Sequence, residues 1–170
     1  MIDTPKWILN AESESIRNWT KYLYTEAKRL MIQDGTHASL LFLFNKESGL
    51  ISVNPIPPNV DHEQLNVSVE NAVKEHHLYG VIFIGEAWAY HMKERDHTTF
   101  QLLDGEMKVS DLNAKDKKEA LLVRMENGDG DSLVYLDEIV KNNNGVSLKE
   151  GLVSTNSRRK WFVHQESHEV

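Results

Sequence analysis

GVIFIGEAWAY, residues 80–90, is the stretch from which the rest of the chain is read. Val81 to Ile84 are four consecutive apolar residues with β-branched and aromatic members, the composition of a strand buried on both faces. Gly85 follows, and then a carboxylate, Glu86. An acid at the end of such a run must find a partner or take up a proton. Gly85 reads as a bulge that re-aims the acid. A local break in pattern of this kind marks function or a structural lock.

Moving towards the N-terminus, residues 60–78 form an amphipathic helix in which Leu65, Val69, Ala72, Val73 and His76 share a face, with Asp61 and Gln64 as its capping box. Residues 37–44 and 50–56 are strands joined by the hairpin loop NKESG, and Pro55, Pro57 and Pro58 end the second strand or hold it at an edge. A first helix spans residues 11–33, with Ile16, Trp19, Leu23, Ala27 and Leu30 as its stripe and Asp34-Gly35 as its stop. Thr4-Pro5 opens a short turn before it.

Towards the C-terminus, Asp104-Gly105 centres a hairpin over residues 98–109. Strands follow at 119–126, 132–140 and 146–153, separated by the Asn/Asp/Gly turns NGDGD and NNNG. The order α-β-β-α-β-hairpin-β-β-β predicts an α+β domain over residues 1–155. Its mainly antiparallel sheet has about five to seven strands, with two amphipathic helices on one face. Residues 156–170 form a polar tail that carries Trp161 and Phe162.

Composition narrows the chemistry. The chain has 170 residues, net charge −7 and no cysteine. No disulfide framework, thiolate metal site or cysteine nucleophile is therefore available. The negative balance disfavours general binding to nucleic acid. The longest apolar run, Leu40 to Phe44, is too short to span a membrane. With no signal-peptide pattern at MIDTPKW, the chain reads as cytoplasmic.

At EAW, Glu86 to Trp88, the chain resembles a set of uncharacterised bacterial and phage proteins. In these a strand ending in a motif like FVSEAWM is followed by a segment like PSxDPDRKEAL. The matching pieces here are FIGEAWA, Phe83 to Ala89, and VSDLNAKDKKEALLV, Val109 to Val123. An upstream stretch resembling HAPxLFLE matches His37 to Phe44. The downstream prolines are missing, and Lys117-Lys118 stands where Arg-Lys is expected. The resemblance implies that Glu86, Trp88 and Glu119 belong to one structural unit; it implies no activity.

Glu86 is expected to make a structural ion pair with Arg124, Lys117 or Lys118, because a buried acid is stabilised by a cationic neighbour. The rival reading is a hydrolase-like site in which Glu86 works with His91, His97 or Glu119 as acid or base. No nucleophile–base set, phosphate loop or cofactor motif accompanies it. A metal is not expected either: His164 and His168 lack a general-base position, and NGDGD lacks the ligand pattern of a calcium loop. The favoured function is thus a non-catalytic protein-binding or adaptor domain whose partner is a protein or a second copy. Its expected contact residues are Trp88, Tyr90, Phe100, Trp161 and Phe162. A phage virion or assembly component is the further alternative.

Overall fold

The computed structural model describes residues 13–58, 60–89, 118–154 and 161–162. Helix α1 (Ser13–Asp34) forms where apolar residues recur at three and four: Ile16, Trp19, Leu23, Ala27 and Met31 are all buried. It stops at Gly35, whose φ of 77° suits a residue without Cβ and whose N–H reaches Met31 O at 2.8 Å. Helix α2 (His62–His76) is capped by Asp61, whose carboxylate accepts the Glu63 N–H.

Six strands make one antiparallel sheet: β1 (Ser39–Asn45), β2 (Gly49–Ile56), β3 (Gly80–Ala89), β4 (Lys118–Asn127), β5 (Ser132–Asn142) and β6 (Gly145–Ser154). Their order is β2-β1-β3-β4-β5-β6, and each neighbouring pair is antiparallel. The α+β class, the antiparallel sheet and the two helices agree with the sequence reading. The predicted hairpin at 98–109 and the turn at Thr4-Pro5 lie outside the described residues.

The layering differs from the expectation that both helices share a face. Phe42, Phe44, Ile82, Ile84, Leu121, Val123 and Met125 pack with the stripe of α1. Their neighbours of opposite parity, Leu41, Val81 and Phe83, pack with Val69 and Val73 of α2. Successive side chains of a strand point to opposite faces, so the two helices cover opposite sides. The central strands are apolar at both parities and need a cover on each face.

Gly85 is not a bulge, for β3 and β4 stay in register from Gly80↔Asn127 to Ala89↔Lys118. Register shifts fall instead at Leu43/Phe44 and at Leu136/Glu138. A Cβ at Gly85 would lie 2.8 Å from Phe83 Cζ and 2.7 Å from Ser39 Oγ, so a larger residue there would make these side chains shift. No helix among the described residues is long and apolar enough to cross a membrane.

Candidate functional site

Glu86 shares its parity with Ile82 and Ile84, so it projects on the α1 side, beyond the last core residue of β3. Arg124 stands opposite Phe83 and belongs to the other face. The pleat therefore keeps Glu86 and Arg124 apart, and the ion pair between these two does not form. Arg124 donates from Nε to Glu126 Oε2 at 3.1 Å, and Lys118 pairs with Glu138 at 3.6 Å. Lys117 lies outside the described residues. Glu86 is half-buried and accepts from the Thr36 hydroxyl at 3.0 Å, just past the end of α1.

Trp88 follows Glu86 on the same face and is 43 % exposed. Glu119 stands directly opposite Trp88 in the β3–β4 register. It takes Lys141 Nζ at 3.0 Å. That hydrogen bond, then the charge of Glu119, with Glu86 adding, holds the Lys141 ammonium above the ordinary lysine value. Thr36, Glu86, Trp88, Glu119 and Lys141 thus form one polar surface around an exposed indole. Glu86, Trp88 and Glu119 are visible in the sequence. Thr36 and Lys141 are not, because their partners Glu86 and Glu119 lie on other elements.

The other expected contact residues divide. Tyr90, Phe100, His91 and His97 lie outside the described residues, as do His164 and His168. Trp161 and Phe162 are interior: they are 4 % and 0 % exposed and pack with Val69, Val73, Val81 and Phe83. They are core residues of the α2 face and offer no surface to a partner. The reason is an anchor that the sequence reading missed. Glu126 is fully buried and accepts the Trp161 main-chain N–H at 3.0 Å, while its other oxygen takes Arg124. The Trp161 indole N–H donates to Asn66 Oδ1 on α2 at 3.1 Å, and the Arg124 guanidinium lies 5.8 Å from the ring centroid. The acid clamped inside the sheet is therefore Glu126. Its sequence signal is Arg124 two residues earlier, on the same face of the strand.

A second buried carboxylate, Asp137, accepts the Tyr24 hydroxyl at 2.7 Å and ties α1 to β5. The Tyr24 ring stacks on Tyr135, with centroids 4.0 Å apart. Burial first, then the bond to Asp137 and the nearby negative charges, pushes the Tyr24 hydroxyl well above the ordinary tyrosine value.

The NGDGD turn is stitched into the fold. Asn127 Oδ1 accepts the N–H groups of Asp129 and Asp131, Asp129 accepts the Tyr79 hydroxyl, and Asp131 pairs with Arg17. Among the described residues no group of three or more His, Asp or Glu could hold a metal ion. An open depression of about 360 Å³ on α1 is lined by Asn18, Lys21, Tyr22 and Thr25.

The family model of bacteriophage lambda protein ea47 matches residues 2–164, nearly the whole chain. The chain belongs to that family. The phage part of the resemblance thus holds at the level of the family. No match was found for this ea47-family chain among the curated proteins or among the solved structures. Among its described residues the ea47-family chain presents an exposed indole, Trp88, with Glu86 two residues before it and Glu119 across from it.

Proposed function

We propose that this ea47-family chain is a non-catalytic protein-binding module whose contact surface centres on Trp88. The supporting observation is the placement of that indole on an open part of the sheet, 43 % exposed. Tryptophan is costly to leave in water and is enriched where partners meet. The acids of the interior and of the NGDGD turn are engaged in holding strands, helix and tail together. A tagged chain and its Trp88→Ala variant, matched for folding by circular dichroism, are recovered from phage-producing cells and their co-purifying proteins compared. The wild type is expected to retain a partner, or untagged copies of itself, that the variant loses. Equal retention by both chains overturns the proposal.

Membership of a phage family favours a second reading, a virion or assembly component. Its test is quantitation of the chain in purified particles. A chain that stays wholly in the particle-free fraction excludes this reading.

A further inference from the structure

Among the described residues beside Trp88, two carboxylates stand against one ammonium. Glu86 lies two residues before it on the same face, and Glu119 stands across from it. Helix α1 ends beside them, through the Thr36–Glu86 bond. Its last turn carries no basic residue and finishes in Asp34, so the helix's own last turn adds to the negative end of its dipole and does not offset it. The chain as a whole carries −7. Against this stands Lys141, held by Glu119 at 3.0 Å with half of its side chain in solvent.

Exposed pairs of this kind exchange readily, since each is worth little on its own. We propose that the Trp88 surface receives an Arg or Lys side chain from a basic segment of a protein partner. The cation lies over the indole and between Glu86 and Glu119, the geometry in which ring and carboxylates attract the same group. Lys141 satisfies part of that site in the unbound chain. This inference rests on the reading of Trp88 as the contact residue, and it names the chemistry of the partner.

The test follows the indole N–H resonance of Trp88, assigned with Trp88→Phe, in the full chain titrated with a hexa-arginine peptide. A saturable shift that weakens with salt is expected, and none with hexaglutamate. Glu86→Gln and Glu119→Gln should each weaken the peptide about two- to fivefold, and Lys141→Met, by releasing Glu119, should strengthen it by a similar factor. An unmoved resonance, or an affinity indifferent to both Gln variants and to Lys141→Met, overturns the proposal. If hexa-arginine fails while Trp88→Ala still loses its co-purifying protein, the basic partner is wrong and the binding surface stands. If Trp88→Ala keeps every partner, both ideas fall.

Discussion

Ile16 and Gly80 meet so closely that a Cβ built on Gly80 would lie 2.1 Å from Ile16 Cδ1. Ile16 is fully buried and has little room to turn. Gly80→Ala should therefore cost about 1–3 kcal/mol through overpacking. Ile16→Val removes the clashing methyl, so in that background the same change should cost markedly less. Urea midpoints of the two single variants and the double variant measure this coupling, and strict additivity would argue against the contact. Glu126 supplies a second prediction at this scale. Glu126→Ala strips the acceptor from both Arg124 and the Trp161 N–H, and should destabilise the chain by about 3–5 kcal/mol. Glu86→Gln, whose partner is the exposed hydroxyl of Thr36, should move the midpoint far less. From the sequence the interior lock falls to Glu86, because that acid follows four consecutive apolar residues and a glycine. Glu126 stands next to the polar NGDGD turn, so its burial is legible only through its pairing with Arg124.

Every described helix and strand corresponds to a segment legible in the sequence, because each carries its own periodicity and its own stop. The side on which a helix lands is less legible. It depends on which parity of the strands a stripe fills, and β1 and β3 are apolar at both. The register is legible only in part: the turns fix β4–β5 and β5–β6, whereas β1–β3 pairing depends on α2 carrying the chain past β1. The tail segment is the least legible, because Trp161-Phe162 beside three basic residues suits both a docked last strand and an exposed motif. Its docking gives a prediction for α2. Trp161→Ala removes an indole from the α2 cluster together with its bond to Asn66, and should cost about 3–5 kcal/mol. Asn66→Ala should cost about 1 kcal/mol. Hydrogen exchange should show the α2 amides deprotected more than those of α1 in the Trp161 variant; equal deprotection of both helices would argue against a local role.

At the scale of the whole molecule, the Tyr24–Asp137 bond couples stability to alkaline pH. The Tyr24 hydroxyl is neutral when protonated, and its folded value lies above the unfolded value of about 10. Its contribution is complete below the unfolded value. As pH rises beyond that point the unfolded chain releases the proton first, and stability falls until the folded value is passed. Urea midpoints measured from about pH 8 to about pH 11 should decline more steeply in the wild type than in Tyr24→Phe. Tyr135, also raised by burial, leaves a residual slope in the variant. Identical slopes would remove Tyr24 from this account. The seating of Trp161 and Phe162 against β1, β3 and α2 also has a consequence for biosynthesis. Those three elements leave the ribosome well before Trp161 and Phe162, the residues that pack against their apolar side chains. Until then the growing polypeptide displays an oily furrow, the kind of surface that chaperones engage.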